Sequence, residues 1–337
     1  MASPGIAPIA ASLGDPAGIG PELIAEAWAQ REAAGLHPFF VVGGAGVLAQ
    51  ATALRGRAVP LEEIATPDQA AAVFARALPV LRGPDAAYAP GLPDRAGAEL
   101  ALWSLGEATR LAVNGSASAV MTGPIAKARL MEIGFTHPGQ TEFVAEACGI
   151  DACDAVMMLA GPTLRTVPLT VHLPLADVPH ALTSALVERK GRIVAMAMMR
   201  DFGLSAPRLA FAALNPHAGE EGRMGDEEAR IIGPALERLR AEGIEASGPH
   251  PADALFAPRA RTTFDVALCM YHDQALIPLK ALDFDAGVNI TLGLPIVRTS
   301  PDHGTAFAIA GKRLADPGAT IAALRLAADC ADRRATR

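Results

Sequence analysis

Short apolar runs recur along this chain, and most are separated by stretches with a helical period. Ile6 to Leu13, Phe39 to Val42, Ala119 to Thr122, Ala155 to Leu159, Thr166 to Val171, Arg208 to Leu214, Val266 to Tyr271 and Ile290 to Thr291 each read as a strand. Their Val-, Ala- and Leu-rich composition predicts strands covered on both faces. Ala96 to Val113, Leu182 to Asp201 and Asp226 to Glu242 carry apolar residues at helical spacing. Strands alternating with helices in this way predict parallel βαβ units and an α/β fold. Pro79 to Arg95, rich in Pro, Gly and Asp, reads as a long surface loop, and no internal repeat is evident.

Composition sharpens this picture. The 337 residues are 51% apolar and 19% charged, enough to bury a large core in one large domain or two smaller ones. The 27 prolines and 32 glycines are spread over the whole length and punctuate many short elements, as in an α/β enzyme. A net charge of −7, scattered basic residues and 4% aromatics argue against a nucleic-acid partner. Cys148, Cys153, Cys269 and Cys330 form no CxxC pair and read as reduced thiols of a cytoplasmic protein. The N-terminus has no basic region before its short apolar stretch and no run long enough to span a bilayer, so no membrane association is expected.

Three histidines share one setting. His172, His217 and His272 each stand where an apolar strand runs out into a polar or Pro/Gly-bearing loop. Ligands of open parallel sheets bind outside the carboxyl ends of the strands, and three imidazoles on one rim suit a divalent metal with an open position. A histidine satisfied by a backbone carbonyl at a loop entrance is the alternative for any one of them. Asp273 and Asp253 are candidate carboxylates for orienting a ligating ring; helix capping and surface solvation compete, most strongly for Asp253.

Two glycine loops follow strands. Gly14, Gly18 and Gly20 precede a helix beginning near Pro21, which suits either an anion at the helix N-terminus or an ordinary strand-to-helix turn. Gly44, Gly46 and Ala49 have GxGxxA spacing, with Glu62 and Glu63 downstream, the outline of a dinucleotide fingerprint that Gly/Ala-rich turns also match by accident. Lys127, Gln140, Thr141 and Glu142 lie in loops beside apolar segments. Lys280, Asn289 and Arg298 interrupt apolar sequence at intervals of nine and suit a clamp on phosphate or carboxylate.

Taken together in order, GDPAGIGPE, TGPIAK, HPGQTEF, LNPHAGEEGRMGDEE, YHDQALIPLK and GLPIVRTSPDHGTAFAIAGK resemble the 4-hydroxythreonine-4-phosphate dehydrogenase family of vitamin B6 biosynthesis, from about residue 9 to 325. The segment HGTAFAIAGKRLADP is also similar to the nicotinamide-cofactor loop of isocitrate and isopropylmalate dehydrogenases. The resemblance implies a three-layer α/β/α fold like theirs, with two subdomains and a cleft between them. The first subdomain would comprise 1–125 plus 296–337, and the second, 126–295, would carry the metal ligands and the interface of a homodimer with a shared active site.

It also implies one divalent ion (Zn, Mg or Co) held by His172, His217 and His272 drawn from both chains. Gln140, Thr141, Lys280, Asn289 and Arg298 would be substrate contacts, Lys280 and Asp273 the catalytic groups, and Asp302, His303, Gly304 and Thr305 the holders of NAD or NADP. The Gly44 loop then reverts to a structural turn. The implied reaction oxidises 4-phosphohydroxy-L-threonine to 2-amino-3-oxo-4-phosphobutanoate, which decarboxylates to 3-amino-2-oxopropyl phosphate. Gln140 departs from the family's usual histidine, and glutamine cannot carry a charge toward phosphate. Dehydrogenases of four-carbon sugar-acid phosphates or of an aromatic cis-dihydrodiol therefore compete as readings, as do a metal-dependent phosphatase or hydrolase and a non-catalytic metabolite-binding protein.

Overall fold

The structure, a computed structural model, describes residues 6–56 and 59–336. Among these, twelve strands follow in chain order: β1 (Ile9–Ser12), β2 (Phe39–Val42), β3 (Leu61–Ile64), β4 (Leu78–Leu81), β5 (Val120–Thr122), β6 (Val156–Ala160), β7 (Arg165–Pro168), β8 (Leu209–Ala212), β9 (Ala246–His250), β10 (Val266–Cys269), β11 (Val288–Leu292) and β12 (Arg298–Pro301). The chain divides into two compact units, one running through Ala152 and resuming at Leu294, the other Cys153–Gly293. The expected division after 125 thus moves to 152. Its cause is apolar: Leu130 and Phe135 are buried against Ala98 and Ala101 of the helix Arg95–Val113, which holds this stretch to the first unit.

In the first unit the strand order is β3-β4-β2-β1-β5-β12, with every neighbouring pair parallel. The central strands β1, β2 and β4 are buried at every position, while the edge strand β3 leaves Glu62 and Glu63 partly or fully in solvent. β1 and β2 fall within the apolar runs read as strands, whereas β4 takes up the start of the Pro79 to Arg95 stretch read as a surface loop, its Leu78, Val80 and Leu81 being buried. Phe39 and Phe40 have no exposed surface, and each such burial contributes roughly 1.5–3 kcal/mol. The helix Arg95–Val113 starts where Asp94 accepts a hydrogen bond from Gly97 N at 2.7 Å, an N-cap that lies inside the sequence read as a loop. Ser104 fastens this helix to the sheet: its Oγ accepts from Leu13 N at 2.9 Å and donates to Val42 O at 2.7 Å.

In the second unit the order is β11-β6-β7-β10-β8-β9. β7, β10, β8 and β9 run parallel, but β6 is antiparallel to both neighbours, so the expectation of parallel units fails there. Only four residues separate β6 from β7, too few for a crossover helix, and a hairpin is the connection that fits. The helix Ser184–Arg200 begins after Thr183, whose Oγ1 accepts from Leu186 N at 3.1 Å. It packs on the helix Gly233–Ala241 through Gly191, where a Cβ would stand 2.7 Å from Leu239 Cδ1. Each unit is thus a sheet flanked by helices. No helix among the described residues is long and apolar enough to cross a membrane.

Candidate active site

β7, β10 and β8 are adjacent and parallel, so their carboxyl ends leave the sheet of the second unit on one edge. His172 follows β7, His272 follows β10 and His217 follows β8, all within a few residues of the strand end. His172 and His272 stand side by side, ring centroids 5.8 Å apart with planes at 42°, in a hollow of about 230 Å³ that Thr170 and Tyr271 also line. His217 lines a separate hollow of about 330 Å³ with Asn215, Asp253 and Gln274, and Tyr271 borders both. Among the described residues of one chain, no three His, Cys, Asp or Glu groups converge as a metal site.

Local backbone presents these rings. His172 and His217 both have left-handed backbone, φ 51° and 52°, which costs a non-glycine residue about 1 kcal/mol or more. His272 opens the helix His272–Asp283, and its Nδ1 donates to Asp273 Oδ1 at 2.8 Å, leaving Nε2 directed elsewhere. A carboxylate only accepts, so this contact selects the tautomer whose Nε2 can ligate a cation. Gln274 ties strand ends together, accepting from Met270 N and donating to Ala213 O, both at 2.7 Å. Lys190, buried in the helix Ser184–Arg200, donates to Leu169 O at 2.9 Å just past β7, and burial holds its amine below the usual lysine range.

Lys280 lies eight residues along the helix from His272, roughly 12 Å of axial rise, with its ammonium 5.6 Å from the centre of the Phe284 ring. Asn289, in β11, has a buried Oδ1 with no hydrogen-bond partner. Such an orphaned acceptor is a candidate ligand contact.

The other candidate residues belong to the first unit. Arg298 opens β12 and is 3% exposed, its Nη2 and Nε donating to Thr122 Oγ1 at 2.8 and 3.1 Å and its Nη1 to Thr141 Oγ1 at 3.4 Å. Burial pulls its pKa down to about 10, with Glu142 opposing the shift. Gln140 opens the helix Gln140–Ala147 and donates from Nε2 to Gly123 O at 3.1 Å, while its buried Oε1 has no partner. Gln140, Thr141 and Arg298 therefore meet around the end of β5.

Asp302–Thr305 follow β12, and Thr305 O accepts from Ile19 N at 3.0 Å. A Cβ at Gly18 would stand 2.8 Å from that oxygen, so the first glycine loop serves close packing against this segment. His303 Nε2 is buried without a partner while Nδ1 lies 3.0 Å from Gly304 O. The Gly44 loop takes a different role. Asp85 accepts from Gly46 N at 2.6 Å and Val47 N at 3.2 Å, so the chain's own carboxylate occupies that helix N-terminus. The Gly44 loop is a structural turn, as the resemblance implied.

The model of the pyridoxal phosphate biosynthetic protein PdxA family matches residues 36–327. The chain belongs to this family. It is 62% identical over 328 residues to a 4-hydroxythreonine-4-phosphate dehydrogenase from Erythrobacter litoralis, covering 97% of this chain and 98% of that protein. The crystal structure of the Klebsiella pneumoniae 4-hydroxythreonine-4-phosphate dehydrogenase superposes with a TM-score of 0.86 at 36% identity, over 98% of this chain and all of that one. A terephthalate 1,2-cis-dihydrodiol dehydrogenase from Burkholderia xenovorans is similar at 31% identity and TM-score 0.66, over 96% of this chain and 98% of that one.

For a PdxA-family chain the donor chemistry fits a divalent ion: two neighbouring imidazoles, one with its tautomer set by a carboxylate, and a third on the same sheet edge. Four supporting residues, Thr122, Lys190, Glu228 and Gln274, escaped the sequence reading. The first three lie inside helical or apolar stretches that read as packing. Gln274 alone carried a signal, two residues after His272 in YHDQ.

Proposed function

We propose that this chain is an NAD(P)- and divalent-metal-dependent dehydrogenase. It oxidises 4-phosphohydroxy-L-threonine to 2-amino-3-oxo-4-phosphobutanoate, which loses carbon dioxide to leave 3-amino-2-oxopropyl phosphate. The single observation that carries this reading is full-length similarity, at 62% identity, to a protein named for that activity. The three strand-end histidines supply chemistry that suits it.

When bound, the ion supplies Lewis acidity toward a substrate oxygen and the nicotinamide accepts hydride. His172, His217 and His272 hold the ion, and Asp273 keeps His272 in its ligating tautomer. Zn, Co and Mg are the candidate ions, since imidazole suits the first two and Mg binds with retained waters. Arg298 and Thr141, with Gln140, bind the anionic end of the substrate. Asn289 offers its orphaned carbonyl to a substrate donor, and Lys280 moves a proton or pairs with the carboxylate. Asp302, His303, Gly304 and Thr305 hold the cofactor. In one chain His172 and His272 stand together while His217 lines a neighbouring hollow, an arrangement that suits ligands shared across a homodimer. Four free cysteines suit the cytoplasm.

A second reading keeps the chemistry and changes the substrate. It is favoured by Gln140, which offers an amide where the family's usual histidine offers a chargeable ring, and by similarity to the cis-dihydrodiol dehydrogenase. A screen by nicotinamide reduction decides between them, using phosphohydroxythreonine, erythronate 4-phosphate, threonate 4-phosphate and an unphosphorylated diol. The proposal expects phosphohydroxythreonine to give the highest kcat/KM and His217→Ala to abolish it. A rate no higher than that variant's refutes the proposal.

A further inference from the structure

We infer that Glu228 is a positioning residue for the metal: its buried carboxylate holds the left-handed turn that presents His217. The inference rests on the reading of His217 as a ligand. Six successive residues, His217 to Gly222, have positive φ, between 42° and 86°, and only Gly219 and Gly222 among them are glycines. Such a run is intrinsically unfavourable for L-residues and persists only where surrounding contacts dictate it.

Glu228 supplies those contacts from within the second unit. Its Oε1 accepts from two consecutive peptide N–H groups, Leu214 at 2.9 Å and Asn215 at 2.8 Å, which only Pro216 separates from the turn. Its Oε2 accepts from Asn215 Nδ2 at 3.1 Å, and Glu227 Oε2 takes the other amide proton at 2.7 Å. Inside the turn, a Cβ at Gly219 would stand 2.8 Å from Glu228 Oε2, so the backbone folds closely over the carboxylate. Glu228 is only 7% exposed. It opens a π-helical turn, Glu228–Ile232, ahead of the helix Gly233–Ala241, and Ser184 Oγ donates to Ile231 O at 2.8 Å within that turn. Wide turns of this kind gather at functional sites. A buried carboxylate that makes three hydrogen bonds, all to Leu214 and Asn215 with only Pro216 between them and His217–Gly222, acts on that turn.

Glu228→Gln keeps the size of the side chain but replaces one acceptor by a donor that faces either the peptide N–H groups or the Asn215 amide. The test is chelator competition for Co²⁺ on the full-length protein, with the visible spectrum of bound Co²⁺ and the Tm recorded alongside. Supporting residues of metal ligands typically set affinity about 10- to 100-fold, and that weakening is expected for Glu228→Gln, with shifted Co²⁺ bands at saturation. His217→Ala separates the two claims: if it leaves Co²⁺ binding intact, the ligand reading fails and the inference with it. If His217→Ala loses the metal while Glu228→Gln binds it with parental affinity and spectrum, only the inference is overturned. Leu236→Ala, at a fully buried position of the following helix, controls for simple destabilisation. Equal loss of affinity in that variant at matched Tm also overturns it. Should Glu228→Gln not fold, Asn215→Ala removes one of the three hydrogen bonds and carries the same expectation and the same refutation.

Discussion

Arg298 is the sharpest case of stability set against function. Its guanidinium is buried, and burial lowers its pKa from the ordinary arginine range to about 10. At 1.36 kcal/mol per unit, the charged form is penalised in the fold by about 3 kcal/mol. The penalty is present below the folded pKa and is relieved as pH rises above about 10 toward the ordinary arginine pKa, so at neutral pH it is carried in full. The hydrogen bonds to Thr122 and Thr141, at roughly 1.5–3 kcal/mol for each bond to a charged group, offset it, so this deeply buried side chain adds little net stability. Arg298→Met keeps much of the volume and removes both terms. We therefore expect a urea midpoint near the parent's, where truncation of an ordinary buried side chain lowers it clearly. Substrate binding should suffer instead: removing one charge-assisted hydrogen bond to the substrate costs about 1.5–3 kcal/mol, or roughly 10- to 150-fold in kcat/KM. The assays are urea denaturation followed by circular dichroism, and initial rates of nicotinamide reduction. Marked destabilisation with an unchanged kcat/KM would refute the reasoning on both counts.

Asp273→Asn replaces the carboxylate that fixes the His272 tautomer, and metal affinity measured by chelator competition should fall about 10- to 100-fold; an unchanged affinity contradicts the orienting role. Gly14→Ala places a methyl 2.6 Å from Pro124 O at a φ of 74°, and should lower stability in thermal denaturation by more than the roughly 1 kcal/mol expected from backbone strain alone. A Tm at or above the parent's would show that the loop relaxes freely. Gln140→His restores the family's usual residue and should raise the preference for phosphorylated over unphosphorylated substrates in kcat/KM, most visibly below the histidine pKa; identical preferences would show that this position does not read phosphate.

Central strands were legible where burial on both faces leaves an unbroken apolar run: β2, Phe39–Val42, is found where the pattern put it, while β4, LPVL, is equally buried but was hidden by the proline that made its sequence read as loop. Edge strands were not, because solvent removes that constraint. LEEI and ASGPH carry glutamates, glycine and proline, yet form β3 and β9 at the two ends of the observed strand orders. β12, RTSP, is polar for another reason, since its Arg298 is buried against Thr122 instead of being solvated. The antiparallel turn of β6 into β7 is encoded in loop length, which apolar periodicity does not report. The histidines were readable as strand-end residues since each follows an apolar run. The residues that hold them in place, Glu228 and Gln274, work through backbone partners distant in sequence, Leu214 and Ala213, and such pairings exist only once the chain has folded.

The central claim is that His172, His217 and His272 grip one ion. Anomalous diffraction at the zinc edge, from crystals of the full-length protein loaded with Zn²⁺, tests it directly. The account predicts a single peak per site about 2.0–2.1 Å from one nitrogen of each of the three imidazoles, with the three rings contributed by two chains. A peak bound by other residues, or by one chain's His172 and His272 with His217 left out in the assembled protein, would contradict it.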